Sequence, residues 1–92
     1  MQAWTQEQAI AFECAREVIT DLMAIQTGQI AAEASKNEPD ATCIENLRAE
    51  RSRLAQERSN LHVGDHANVA RINDEYGAAV RAWRMNQHAL AA

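Results

Sequence analysis

Lys36-Asn37-Glu38-Pro39-Asp40 decides how this chain folds. Pro39 has no backbone N–H, and its ring clashes with the preceding turn, so no helix arriving from upstream continues through it. Asp40 just beyond it can cap a new helix. A second break is His62-Val63-Gly64-Asp65, where Gly64 can take a left-handed conformation at a helix end and Asp65 can cap the next helix. Between these breaks Ala, Glu, Gln, Arg and Leu dominate, all strong helix formers. With three Gly and one Pro in 92 residues, the chain lacks the turns that an all-β fold needs. We therefore expect an all-α domain over residues 1–92, with helices at about 6–36, 40–61 and 66–88. They form a three-helix up-down-up bundle, or an extended helical hairpin with a third helix.

Each segment has its own apolar stripe. In the first, Thr5 and Gln8 fit a capping box, Glu7 suits the positive end of the helix dipole and Lys36 the negative end. Phe12, Ala15, Ile19, Leu22, Met23 and Ile30, broadened by Ala11, Val18 and Ile25, make a stripe wide enough for more than one neighbour. Thr27-Gly28 interrupts it, and Gly28 invites a bend or a close crossing. In the second segment Leu47, Leu54 and Leu61 recur every seven residues beside Ile44, with Arg51 and Arg58 at the intervening seam positions. That is a coiled-coil period with polar residues that can select register or partner. Leu47, Arg51, Leu54, Arg58 and Leu61 thus face either a second copy of the chain or the rest of its own bundle. In the third, Val69, Ile72, Tyr76, Val80, Trp83 and Leu90 alternate in steps of three and four. Trp4 reads as a staple on the first cap, and Trp83 as a continuation of the third seam.

Charge is placed unevenly. The chain carries a net charge of −4. Residues 1–40 hold Glu7, Glu13, Glu17, Asp21, Glu33, Glu38 and Asp40 against only Arg16 and Lys36. Glu13, Glu17 and Asp21 follow one another at four-residue steps, which puts them on one helical face. Such a face is either solvated surface or the recognition surface for a basic protein partner. The arginines beyond residue 40 behave differently. Glu45, Glu50 and Glu57 alternate with Arg48, Arg51, Arg53 and Arg58 at intrahelical pairing distance, which leaves little field for phosphate. A small DNA-binding regulator using Arg48, Arg51 and Arg58 stands as an alternative on those residues.

Catalytic signals are missing. There is no phosphate loop, dinucleotide fingerprint or nucleophile elbow. Carboxylates on exposed helices mean nothing without a pocket, so we expect no enzyme and no cofactor. If the first two helices fold back about Pro39, Cys14 comes level with residue 63. Cys14, His62 and His66 then either converge, with Asp65 nearby, or stand as an ordinary small hydrophobe and loop histidines. Cys43 would lie on the order of 30 Å from Cys14, beyond disulfide reach. Two cysteines, no basic and apolar leader in Met1-Gln2-Ala3-Trp4-Thr5-Gln6-Glu7, and no apolar run of about 18 residues point to a cytoplasmic protein without a membrane segment.

The short length, acidic first helix, alanine-rich helices and absent catalytic motif together resemble the general character of small proteins of phages, plasmids and integrative elements, anti-CRISPR inhibitors among them. The similarity covers the whole chain in character and rests on no motif. It implies an inhibitor that blocks or bridges a host-defence complex, with Glu13, Glu17 and Asp21 mimicking phosphate in a basic nucleic-acid channel. A coiled-coil-like structural or regulatory homodimer through the leucine seam is the alternative that the second segment suggests.

Overall fold

The computed structural model describes residues 4–91, and the side chains of residues 4–87. Three helices follow in order: α1 (Gln6–Ala34), α2 (Ala41–Asn60) and α3 (His66–Ala91). Among the described residues there is no strand. The all-α reading and its three elements hold.

Local chemistry explains most boundaries. The Thr5 side chain accepts from the Gln8 N–H at 3.0 Å, and the Gln8 side chain accepts from the Thr5 N–H at 2.9 Å, so the expected capping box opens α1. α1 stops at Ala34, two residues earlier than the sequence suggests, and Lys36 is not in its last turn. Glu33 is the reason. Its carboxylate accepts from Lys36 Nζ at 2.9 Å and from the Asp40 N–H at 3.1 Å, which draws the chain out of the helix and across the turn. Asp40 then caps α2 by accepting from the Thr42 and Cys43 N–H groups. α2 ends at Asn60 because Leu61 turns to an extended backbone, φ −74° and ψ 132°, and buries its side chain. Asp65 caps α3 through the Asn68 N–H at 3.3 Å.

Two glycine expectations are corrected. No described residue has positive φ, so Gly64 is not a left-handed cap. What requires glycine there is Trp4: a Cβ on Gly64 would lie 2.7 Å from Trp4 Cη2. Gly28 does not break α1, which runs through it. A Cβ on Gly28 would meet nothing within 4 Å, so no helix crosses closely there either.

α1 is the central element, and both other helices pack on it. Arg58 reaches Thr20 and Arg51 reaches Thr27, a reversed order that makes α1 and α2 antiparallel. Asn73 reaches the Ala11 carbonyl and Arg84 reaches Asp21, a shared order that makes α3 parallel to α1. The path is therefore up-down-up. Among the described residues no Cα of α2 comes within 8 Å of a Cα of α3. The outcome is a flat slab, 58 × 31 × 14 Å, with a radius of gyration of 15.8 Å. A compact chain of this length would have about 12 Å.

The core lies where the three helices meet. Ala15 and Ile19 of α1, Leu54 of α2, Leu61 of the linker, and Val69 and Ile72 of α3 form one buried cluster. Ala11, Phe12, Leu22, Met23 and Tyr76 pack around it. The wide stripe of α1 is thus shared between two neighbours, as its width implies. Val80 is buried farther along α3, and Trp83 is half-buried. The side chain of Leu90 lies outside the described residues.

Candidate functional site

Glu13, Glu17 and Asp21 do share one face of α1. With Arg16 and Thr20 they line a shallow, open depression of about 530 Å³. Glu13 and Glu17 are exposed. Among the described residues neither has an ion-pair partner. Asp21 differs: Arg84 of α3 donates to its carboxylate at 3.3 Å, with both side chains largely exposed. A pair in that setting is worth little and exchanges readily. Arg16 leans over the Phe12 ring, 5.9 Å from its centroid. Arg58 of α2 donates to the Thr20 hydroxyl at 3.0 Å, while that hydroxyl donates to the Arg16 carbonyl. The face therefore presents two free carboxylates, with arginines of α2 and α3 at its borders.

The residues offered to a second copy are engaged inside the chain. Leu54 is 1% exposed and Leu61 6%, both in the core, and Leu47 is half-buried. Arg51 donates to the Thr27 hydroxyl at 3.0 Å, as Arg58 does to Thr20. Each threonine passes its own proton back to a carbonyl one turn earlier. Both ends of this ladder repeat every seven residues, and both rungs reflect about Pro39. That shared centre is a signal the sequence does contain, visible only when the two helices are read together.

The arginines do not form one basic surface. Arg53 pairs with Glu50 and with Glu57 at 2.8 Å, and Arg71 pairs with Glu57 at 2.6 Å and Glu75 at 3.0 Å. Glu50 holds Arg53 above its ordinary pKa, and Glu57 does the same for Arg71. Arg53 in turn holds Glu50 below the usual carboxylate range. Arg48 is exposed.

The thiol and imidazole groups do not assemble a centre. Cys14 is exposed and Cys43 half-buried, both as free thiols. Among the described residues no three His, Cys, Asp or Glu side chains converge as a metal site, Cys14, His62 and His66 included. His66 instead meets Trp4, with ring centroids 5.8 Å apart and planes at 90°. Beside them, Thr5, Glu7, Gln8, Ala11, His66, Val69 and Ala70 line a second open depression of about 450 Å³. Trp4 therefore ties the start of α1 to the α2–α3 linker, a contact that sequence spacing does not reveal.

No family pattern, curated protein or solved structure matches this chain. No helix among the described residues is long and apolar enough to cross a membrane.

Proposed function

We propose that this protein is a non-enzymatic binding module that presents the acidic face of α1 to a basic surface of a larger protein, and acts by blocking or bridging it. One observation supports this most directly: Glu13 and Glu17 are exposed, without ion-pair partners among the described residues, on a helix backed by two others. Carboxylates held on a supported helix cost little ordering entropy when a cationic partner docks, and their field orients the encounter. An inhibitor of the anti-CRISPR type, working in the cytoplasm on a basic nucleic-acid channel, is the specific form of this reading. That form rests on the general resemblance in character.

Affinity capture from the native host followed by mass spectrometry identifies the partner. The E13K/E17K variant leaves the Asp21–Arg84 pair in place, so its helix content by circular dichroism stays at the wild-type level. It is expected to lose the captured partner. Undiminished capture by E13K/E17K overturns the reading.

A further inference from the structure

Between α2 and α3 the backbones stay apart, yet among the described residues polar side chains reach across at one place. Glu57 of α2 is the node, with its side chain 16% exposed. Its carboxylate accepts from the Tyr76 hydroxyl at 2.7 Å, from Arg71 at 2.6 Å and from Arg53 of its own helix at 2.8 Å. The Arg71 guanidinium also lies over the Tyr76 ring, 5.6 Å from its centroid. Arg53 adds a longer bond to the Tyr76 hydroxyl at 3.3 Å. Two helices are thus strapped by charge-assisted bonds beside the core cluster.

Core and strap supply different things. Apolar burial of Leu54, Leu61, Val69 and Ile72, and of Val80 and Trp83 farther along, holds α3 on the hairpin, but the hydrophobic effect is non-directional and does not by itself single out one crossing angle. Charge-assisted bonds are directional and short, so they do not. Beyond Asn73, the described residues offer one polar contact between α3 and α1, the exposed Arg84–Asp21 pair. The linker from Leu61 to Asp65 holds no regular element that would fix the angle instead.

We propose that Glu57 is a latch that sets the angle of α3 against the α1–α2 hairpin. Closed, it holds α3 in a single orientation. Open, α3 remains helical and remains on the core, but pivots about its first turns, so that its far end swings. At 1.5 Å per residue, a tilt of about 10° about Val69 in those first turns moves residue 86 by about 4 Å.

The test uses the full chain with Cys14 and Cys43 replaced by serine and spin labels at two exposed positions, S52C on α2 and N86C on α3. Pulsed electron spin resonance then reads the distance distribution. With E57Q the distribution is expected to broaden and shift, while circular dichroism keeps its helical signal. The control E45Q makes the same change of charge on α2 away from the strap, and is expected to leave the distribution unchanged. Y76F removes a single hydroxyl and is expected to broaden the distribution less than E57Q. A wild-type distribution in E57Q overturns the latch. If E57Q loses its helical signal, Y76F decides: a folded Y76F with an unbroadened distribution overturns the latch as well.

Discussion

Replacing Gly64 with alanine asks what Trp4 contributes to holding the linker against α1. Trp4 is 41% exposed, so about three fifths of its roughly 250 Å² is covered. At about 25 cal/mol per Å² the covered area is worth at most about 4 kcal/mol. Part of that cover comes from neighbouring residues that also shield Trp4 in the unfolded chain, which leaves roughly 1–2 kcal/mol for the contact with Gly64 and His66. An alanine Cβ would lie 2.7 Å from Cη2 of the indole, so the ring must shift away from the linker. The backbone at Gly64 is not left-handed, so alanine itself fits without strain. It also restricts the unfolded chain, a gain of about 0.4–1 kcal/mol.

The net expectation for G64A is a loss of up to about 1.6 kcal/mol, centred on about 0.8 kcal/mol, a melting temperature lower by a few degrees. In a W4A background the clash is gone and only the entropic gain remains, so the same substitution should stabilise. Urea unfolding of the wild type, W4A, G64A and the double variant, followed by circular dichroism, closes the cycle. A W83F background isolates Trp4 fluorescence, which should shift to the red in G64A as the ring enters water. If G64A destabilises the W4A chain as much as the wild type, the linker itself requires glycine, and the role assigned to Trp4 is refuted.

Other perturbations separate core, helix and strap. G28A should raise stability by about 1 kcal/mol, since Gly28 lies inside α1 and an added methyl meets nothing within 4 Å; a lower melting temperature would mean that the methyl meets a neighbour after all. L54A should cost about 2–5 kcal/mol at a side chain that is 1% exposed, against a clearly smaller loss for L47A at a half-buried position. Equal losses in chemical denaturation would contradict the placement of the core. The acid limb concerns Glu33, Glu50 and Glu57. Lys36 lowers Glu33 and Arg53 lowers Glu50; burial pushes Glu57 up, but Tyr76, Arg71 and Arg53 outweigh it and leave it lowered. Carboxyls depressed in the folded state stabilise above their ordinary value of 4.5 and lose that contribution as pH falls through their folded values. Stability should thus hold level near neutrality and fall below pH 4.5, with a shallower fall in E57Q; an unchanged slope in E57Q would mean that Glu57 gains nothing from its donors.

Helix number, order and most boundaries were legible because they depend on single residues acting locally. Pro39, Asp40, Thr5 with Gln8, and Asp65 each perform a task set by backbone chemistry. The misplaced details are those decided at a distance. Lys36 has the look of a last-turn cation, but Glu33 reaches both it and the Asp40 amide. Gly64 suggests a left-handed backbone, whereas its small size serves an indole sixty residues earlier in the chain. Glu57 resembles any of several alternating charges, and nothing in its own helix distinguishes it from Glu50. Only the arrival of Tyr76 and Arg71 from α3 makes it a node.

The leucine seam of α2 shows why a pattern on one helix leaves its partner open. Leucines seven apart with arginines between them describe a surface that wants a second helix, and a copy of the same chain satisfies that as well as α1 does. The difference lies in α1, where Thr20 and Thr27 stand seven apart at positions that reflect onto Arg58 and Arg51. An arginine half-buried at a helix contact needs an acceptor there. The threonine hydroxyls are acceptors that leave the helix intact, because each returns its proton to a carbonyl of its own turn. A second copy taking this seam would have to displace α1, stripping two guanidinium groups of acceptors and Leu54 of its cover. The apolar area regained would have to exceed that cost. The acidic face opposes no such exchange: a partner docking on Glu13 and Glu17 displaces only water, and at Asp21 one exposed arginine.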